Sequence, residues 1–478
     1  MNMRNQDFQV NGAVLVVGTG KSGISASRLL LSKGVPVILF DEKDRDDKDQ
    51  VRQNFPQDAE IELAFVELGE DRLKGISAAV LSPGVPTDGR LAELLKEKGI
   101  PLYGEVELAW QFSRGDVLAV TGTNGKTTTT ALLGEILKHF AESAGEALSE
   151  RKVFVVGNIG FPYTDIVDET EENSLIAAEL SSFQLETIKR FHPRVSAILN
   201  LTPDHLDRHH SMENYALAKE RIAENQGPED AVVLNYDDEL TRSFAEETTV
   251  PVVFFTRDPD VDAIRQKFPD REFVYLKGDD IYYNETHVIN VRDLHLLGSH
   301  NYENVMAAVG MTARYGVPME VIREAVREFR AVEHRIEFVR SVDGVDYYND
   351  SKGTNPDAAI KAVMAMNRKT LLIGGGFDKK LPFDDWVKCF EGRVELLVLI
   401  GQTADAIAEC ADKYGFHSYV KAESLEDAVR ICHENALSGQ AVLLSPACAS
   451  WGVFKNYEER GRLFKEYVNS LPSNSGEQ

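Results

Sequence analysis

A lysine and a hydroxyl at the end of a glycine turn can grip a phosphate chain and a hard metal ion, and Lys126 and Thr127 stand in such a place. They close Val117-Leu-Ala-Val-Thr-Gly-Thr-Asn-Gly-Lys-Thr127, which runs on through Thr128, Thr129 and Thr130. The apolar run 117–120 predicts a short buried strand. Gly122, Thr123, Asn124 and Gly125 predict a turn, and the threonines the first turn of a helix. Such a corner aims backbone N–H groups and a helix N-terminus at one point, where a phosphate is stabilised. Lys126 adds a point charge for the outer phosphates, and the Thr127 hydroxyl a ligand for Mg²⁺. The full phosphate-loop pattern has a glycine where this sequence has Val120. Strand, turn and helix nevertheless fall where the mechanism needs them, so the motif points to a bound nucleoside triphosphate.

Other polar groups gather at predicted strand ends, where ligands meet parallel α/β sheets. Strand 174–180 ends near Glu179, a natural Mg²⁺ ligand beside a phosphate loop, or else a helix cap. Strand 153–157 runs into a glycine turn carrying Asn158, and Gln184 follows Glu179 closely. Strand 195–200 leads into Asp204, His205 and Asp207, a polar loop. His209 and His210 lack that support and are expected at the surface. Lys219, by itself an ordinary helix lysine, lies in a helix expected to begin at Tyr215 and to include Arg221 and Ile222. Asn301 and Asn304 precede a helix over 305–313 and could read a base edge or cap that helix.

A second nucleotide motif lies upstream. Strand 13–17, Gly18-Thr-Gly-Lys-Ser-Gly23, a helix over 24–33 and a strand over 35–40 ending in Asp41 compose the dinucleotide fingerprint. Taken alone it reads as an NAD-dependent oxidoreductase. Its physical content is narrower: N–H groups for a diphosphate and a carboxylate for a ribose or base, which any nucleotide diphosphate satisfies. Lys21 inside the turn suits an extra anionic group. Another strand, 78–81, ends in a turn at Gly84 near the same crevice.

The elements that must hold these groups alternate strand and helix throughout, which predicts an α/β protein. At 478 residues the chain exceeds one ordinary core. Boundaries are expected at 112 and 332: a Rossmann-like domain over 1–112, a central phosphate-loop ATPase domain with a mostly parallel sheet over 113–331, and a Rossmann-like α/β domain over 332–478. The last has predicted strands at 345–349, 370–373, 396–400 and 441–445, with a glycine turn at 374–380 that offers Lys379 to a carboxylate. A hairpin is expected around 279–284, solvated charged stretches at 42–60 and 141–152, and a disordered end at 472–478. Hydrophobic residues make up 43% and charged residues 27%, the balance of a globular protein. No apolar run approaches the roughly 18 residues of a membrane span, and residues 1–10 hold no apolar signal core. The four cysteines show no metal or redox spacing and read as reduced thiols of a cytoplasmic protein. A net charge of −25 argues against nucleic acid or an anionic membrane as partner, and anionic substrates would need local positive sites.

Taken in order, the motifs carry more than chemistry. Gly122-Thr-Asn-Gly-Lys-Thr127, Gly157-Asn-Ile-Gly160, Glu179-Leu-Ser-Ser-Phe-Gln184 and Leu199-Asn-Leu-Thr-Pro-Asp-His-Leu-Asp207 are followed by Tyr215-Ala-Leu-Ala-Lys219 and Asn301-Tyr-Glu-Asn304. Glu333-His-Arg335 and Asp350-Ser-Lys-Gly-Thr-Asn355 complete the set, which resembles the Mur ligases, the ATP-dependent amide ligases of bacterial peptidoglycan synthesis. The family's own phosphate loop lacks the early glycine, in keeping with Val120. Within it, Leu443-Leu-Ser-Pro-Ala-Cys-Ala-Ser-Trp451, Phe454-Lys-Asn-Tyr457 and the short first domain look like the members that add D-glutamate to UDP-N-acetylmuramoyl-L-alanine.

The resemblance implies a role for each matching position. Gly20, Lys21 and Ser22 would meet the diphosphate, Asp41 and Gly84 the uridine, and Asn158, Gln184 and His205 the muramoyl-alanine. Thr127 and Glu179 would hold one Mg²⁺, and His205 with a carbamylated Lys219 a second. Gly122 to Thr128 would take the ATP phosphates, and Asn301, Asn304, His334, Arg335 and Asp350 the base and ribose. Thr354, Lys379, Ser450, Trp451 and Tyr457 would lie near D-glutamate, with Tyr457 standing where relatives often have phenylalanine. It further implies a cytoplasmic monomer serving cell-wall synthesis and hence cell shape and division, closing its domains about hinges near 112 and 332. Three competing readings differ in what they leave idle. An oxidoreductase has no use for 122–127, and a bare ATPase needs no amino acid. A sister ligase, adding another amino acid or glutamating folate, should differ at Lys379, Ser450 and Tyr457.

Overall fold

Runs of Val, Leu, Ile and Ala with no polar alternation become central strands buried on both faces, and that pattern builds three mostly parallel sheets. The computed structural model describes residues 10–43, 48–143, 151–158, 160–330 and 332–472. The N-terminal stretch and parts of the charged stretches (1–9, 44–47, 144–150), and the final 473–478, lie outside them. Within the two charged stretches a helix forms at Lys48–Arg52, and the phosphate-loop helix Lys126–Ser143 reaches into the second. Among the described residues no helix is long and apolar enough to cross a membrane.

The chain divides into two compact units, Met1–Val291 with Glu303–Val326, and Arg292–Tyr302 with Arg327–Gln478. The first unit holds two sheets. One comprises β1 (Ala13–Val17), β2 (Val37–Asp41), β3 (Ile61–Phe65), β4 (Ile76–Leu81) and β5 (Leu102–Gly104), all parallel in the order β3-β2-β1-β4-β5. Its register pairs Val17 with Phe40 and with Leu81, so the turns at Gly18, Asp41 and Ser82 emerge along one edge.

The other sheet comprises β6 (Asp116–Thr121), β7 (Val153–Gly157), β8 (Leu175–Glu179), β9 (Val195–Ile198), β10 (Ala231–Asn235), β11 (Val252–Thr256), β12 (Glu272–Lys277), β13 (Asp280–Tyr283) and β14 (Thr286–Asn290). Its order is β14-β13-β12-β11-β10-β9-β6-β8-β7, parallel except for the antiparallel β12-β13-β14 edge that contains the expected hairpin. Val120 pairs with Glu179 and Glu179 with Gly157, which places the phosphate loop, the carboxylate and the Asn158 turn side by side. Between the sheets the helix Glu105–Phe112 is buried from Glu105 through Gln111. Val106, Leu108 and Trp110 share one core with Val14 and Leu29 on one side and Tyr163 and Ile176 on the other. Burying one such aliphatic side chain is worth about 1.5–3 kcal/mol, so this helix welds the two sheets together.

The second unit carries β15 (Glu337–Val342), β16 (Val345–Asn349), β17 (Thr370–Gly374), β18 (Val394–Leu399), β19 (Tyr419–Lys421) and β20 (Ala441–Leu444). The order is β15-β16-β20-β17-β18-β19, with only β15 antiparallel. Several helix bounds differ from expectation, among them the helix expected over 24–33, which spans Lys21–Ser32. The Lys219 helix spans Met212–Glu220, opened by the Ser211 side chain accepting from Asn214 N, and Arg221–Ala223 is a tighter 3₁₀ turn. The helix expected from 305 begins six residues earlier, as Ser299–Tyr315.

Candidate active site

The phosphate loop has the shape its residues dictate. Gly125 has φ +86°, and a Cβ there would run into Asn304 Oδ1, so only glycine fits between loop and helix. Asn200 clamps the loop: its Oδ1 accepts from Asn124 N at 2.8 Å and its Nδ2 donates to Asn124 O at 3.1 Å. Thr123 Oγ1 lies 3.1 Å from Tyr215 Oη and accepts from Thr202 N at 3.0 Å. Lys126 Nζ folds over the loop, donating to Gly122 O at 2.8 Å and Thr123 O at 2.9 Å. Thr127 is half-buried at the first helical turn, and Thr128 is buried behind it.

Glu179 is 1% exposed, yet only one of its oxygens is bonded. Oε1 accepts from Asn158 Nδ2 at 2.8 Å, and Oε2 has no partner. A buried, half-satisfied carboxylate oxygen beside a phosphate loop has the chemistry of a cation ligand. Lys219, 2% exposed, donates Nζ to Gly122 O at 2.8 Å. Burial first, and then the Lys126 charge, push its pKa down to about 6, against the opposing pull of Asp204 and Glu179. At neutral pH it is therefore mostly a free amine. A free amine can add CO₂, and the resulting carbamate would present oxygens to a hard metal where an ammonium cannot.

Among the described residues no three His, Cys, Asp or Glu side chains cluster as a metal site. Glu179, whose strand position beside the phosphate loop leaves Oε2 without a protein partner, has the chemistry of a Mg²⁺ ligand. His205 lies on an exposed loop in left-handed conformation, φ +52°, its ring 4.9 Å from that of Phe183. His209, expected at the surface, is buried: Nε2 lies 2.9 Å from Ser182 Oγ, and the ring stacks on Phe183. The core it fills is assembled from short helices distant in sequence, Ser182–Leu185 and Leu206–His209, which local sequence does not reveal. His210 is exposed. Gln184 forms a capping box with Ser181, accepting from Ser181 N at 2.9 Å.

In the first sheet's edge, Gly20 and Ser22 flank the uncapped start of the helix Lys21–Ser32. Lys21 is the first residue of that helix rather than part of the turn, and it is exposed. Asp41 is occupied locally, accepting from Thr19 N at 3.0 Å and Lys43 N at 3.1 Å. It braces the turn as much as it faces a ligand. Gly84 is exposed, with open space where a side chain would stand.

The second unit gathers its own polar group. His334 is buried, with Nδ1 2.9 Å from Asn349 Nδ2, and burial lowers its pKa. Asp350 accepts from Ser445 Oγ at 2.7 Å and Ile336 N at 3.3 Å, and burial raises its pKa to about 7. Arg335 Nε is buried without a partner. The Tyr457 ring meets His334 edge-on at 6.1 Å, and Tyr457 O accepts from Ser351 Oγ at 2.8 Å. Ser450 is buried. Lys379 is exposed and poised 5.3 Å over Trp451, itself 55% exposed. Thr354 N is tied back to Lys352 O at 2.8 Å, and Asn301 Nδ2 donates to Leu297 O at 2.7 Å. Asn304 belongs to the first unit, where its Oδ1 accepts from Thr129 Oγ1 at 3.3 Å.

Comparison with known proteins follows the same segments. Residues 12–104 match the Mur ligase MurD-like N-terminal domain, 120–312 the Mur ligase middle domain and 334–448 the Mur ligase glutamate ligase domain. A Lachnospira eligens protein named UDP-N-acetylmuramoylalanine–D-glutamate ligase is 51% identical over 467 residues, 96% of this chain and 99% of that one. The chain belongs to the Mur ligase family. Proteins of the same name from Lachnoclostridium phytofermentans and Clostridioides difficile are 50% and 42% identical, over 96% of this chain and 98% of each. The crystal structure of the Mur ligase MurC from Thermotoga maritima matches with TM-score 0.55 at 19% identity, covering 96% of this chain and 100% of that one. MurF from Acinetobacter baumannii matches with TM-score 0.56 at 17% identity, covering 83% and 86%. At such identities these two likenesses speak for the fold alone.

Several residues of this Mur ligase escaped the sequence reading. Asn200 stands two residues past β9, and its place near a strand end beside the phosphate loop was an available signal. Arg460 gave none, because it sits among charged neighbours in the helix Tyr457–Ser470. It is fully buried, donating to Ser351 O at 2.8 Å and Cys448 O at 3.1 Å, and burial lowers its pKa to about 10.

Proposed function

We propose that this chain joins D-glutamate to UDP-N-acetylmuramoyl-L-alanine at the expense of ATP, in cytoplasmic peptidoglycan precursor synthesis. The 51% identity to a ligase of that name, across 96% of the chain, is the observation that carries the reading. Domain boundaries at 112 and 332 divide the labour: UDP on the first domain, ATP phosphates on the second, D-glutamate on the third.

A carboxylate resists amine attack because it is anionic and its oxygen leaves poorly. Transfer of the ATP γ-phosphoryl group to the alanine carboxylate solves both problems, giving an acyl phosphate and ADP. The D-glutamate amine then attacks the acyl carbon, and the tetrahedral adduct expels phosphate. Lys126, on a loop fixed by Asn200 and Gly125, is placed to neutralise the phosphoryl oxygens as charge moves to ADP. Asn158 holds one oxygen of Glu179 and leaves the other without a protein partner. Thr127 and Glu179 would hold one Mg²⁺, and His205 with carbamylated Lys219 a second; bound there, the ions would supply charge neutralisation and orient the phosphates. Around the amino acid, Lys379 would pair with a carboxylate while Ser450, Thr354, Trp451 and Tyr457 shape the pocket.

The direct test is phosphate release from ATP with Mg²⁺ and the UDP substrate, offering D-glutamate, L-glutamate, L-alanine and L-lysine separately. Release that depends on D-glutamate, with a product heavier by one glutamyl residue, is expected. Release with another amino acid would overturn the assignment of 354–457, and release with none would leave an ATPase. Mass spectrometry of the intact protein at high bicarbonate should show one added CO₂, lost in Lys219→Ala. Its absence from the wild type would remove the carbamate.

A further inference from the structure

An ion pair joins the turn after β4 to the loop that carries His205, and neither partner has a role in the chemistry above. Arg208 Nη2 donates to Glu186 Oε2 at 2.6 Å and Nε to Glu186 Oε1 at 3.3 Å, with side chains only 14% and 15% exposed. The same Nη2 donates to Val85 O at 3.1 Å, and Thr87 Oγ1 donates to Glu186 Oε2 at 3.0 Å. Val85 and Thr87 closely follow Gly84 in the turn that starts at Ser82. Ser82 N donates to Val17 O at 2.9 Å, and its Oγ to Gly18 O at 3.4 Å, so this turn is tied to the first glycine turn.

At its other end the pair reaches the His205 loop. Arg208 N donates to His205 O at 3.1 Å, and the guanidinium lies 5.0 Å over the Phe183 ring, which in turn packs against His205. His209 Nδ1 stands 3.7 Å from Glu186 Oε1. His205 itself holds a left-handed backbone, φ +52°, with the Phe183 ring, lying under Arg208, packed against its imidazole.

We infer that Arg208 and Glu186 are positioning residues that couple seating of the UDP end of the substrate to placement of His205. The inference rests on the assignment of residues 20–22 and Gly84 to UDP. A planar guanidinium on a carboxylate fork has one preferred geometry, so a displacement of the 84–87 turn tilts the fork and with it Phe183. Substrate that fills the UDP site holds the turn, and the fork then holds the loop. A fragment lacking UDP would leave His205 less well placed.

The experiment measures KM for the UDP substrate, ATP and D-glutamate, the half-saturating Mg²⁺ concentration and Tm, in wild type, Thr87→Val, Arg208→Lys and Arg208→Met. Thr87→Val removes one hydrogen bond at the far end of the relay. It should raise KM for the UDP substrate about fivefold and leave the other constants and Tm in place. Arg208→Met should raise both KM for the UDP substrate and the Mg²⁺ requirement about tenfold or more, because the stranded Glu186 charge loses its partner. Arg208→Lys, which keeps the charge without the fork, should restore part of the Mg²⁺ effect. In the Thr87→Val/Arg208→Met double variant the two effects on KM should fall short of multiplying. Equal shifts in all three KM values, or a loss of Tm with constants unchanged, would overturn the coupling and leave a structural bridge. Should Arg208→Met fail to fold, Thr87→Val and Arg208→Lys decide. Wild-type turnover, measured first, tests the ligase reading by itself. Calorimetric Kd of the UDP substrate for wild type and Thr87→Val tests the relay independently of turnover, and equal Kd values would overturn it.

Discussion

Enclosing a lysine amine in protein removes its proton before it removes its reactivity, and Lys219 shows the consequence. Its pKa falls from the ordinary 10.5 to about 6, so between those values the unfolded chain binds a proton that the folded chain does not. The penalty is largest below about pH 6 and fades as pH rises toward 10.5. Lys219→Met should therefore abolish ligation while stabilising the fold, with a larger gain in Tm over wild type at pH 6 than at pH 9. Equal gains at both pH values would mean that the amine is not buried as a base. Lys126 makes the complementary case. Its ammonium contacts carbonyls of its own loop, so removing it costs little in folding and much in chemistry. Lys126→Ala should lower kcat on the order of a hundredfold or more, the scale of losing one electrostatic stabiliser, with Tm nearly unchanged. Activity near wild type in the phosphate-release assay would detach Lys126 from the transferred phosphoryl group.

At the scale of elements, the helix Glu105–Phe112 carries an unusual burden for a connector. Glu105, 2% exposed, accepts from Thr164 N at 2.7 Å and Thr164 Oγ1 at 2.8 Å, and Thr164 Oγ1 lies 2.6 Å from Ser25 Oγ on the helix of the first glycine turn. Glu105→Ala strands these donors and should cost about 2–4 kcal/mol in urea unfolding of the full chain. Burial raises the Glu105 pKa, so the folded state binds the extra proton, and this group's contribution is lost as pH rises through its folded pKa. Glu105→Gln keeps an acceptor without that titration, and its deficit against wild type should shrink with rising pH. Nothing in sequence marked this residue, since Glu-Val-Glu at a helix start reads as a solvated first turn. The strands that were legible, such as β6, β8, β9 and β20, are apolar runs buried on both faces. Among those missed, β3, β15 and β19 are half-exposed edge strands with charges along them, where sheet pairing overrides local pattern. The site divides likewise. Glu179 ends an apolar strand and Lys126 follows one across a glycine turn, positions that local pattern marks, whereas Asn200, Arg208 and Arg460 matter through contacts distant in sequence.

Over the whole molecule, a net charge of −25 meets substrates that are themselves anions, and the two facts pull against each other. The fold answers locally: Lys21 and the uncapped start of the helix Lys21–Ser32 put positive charge and N–H groups at the first sheet's edge, and Lys126 adds a positive charge at the phosphate loop of the second. Range separates the opposing terms. At 0.01 M salt the screening length is about 30 Å, so the acidic surface repels an approaching UDP substrate from far away. At 0.15 M it is about 8 Å, which hides the distant carboxylates and leaves contacts within the site largely unscreened. With free Mg²⁺ held constant, kcat/KM for the UDP substrate should therefore rise several-fold between these salt concentrations before falling at higher salt. In Lys21→Met the rise should persist at a lower overall level, because the far field is unchanged while the local attraction is gone. A monotonic fall from the lowest salt upward in the wild type would mean that the local positive groups govern encounter at every range, and that the acidic surface faces away from the path the substrate takes.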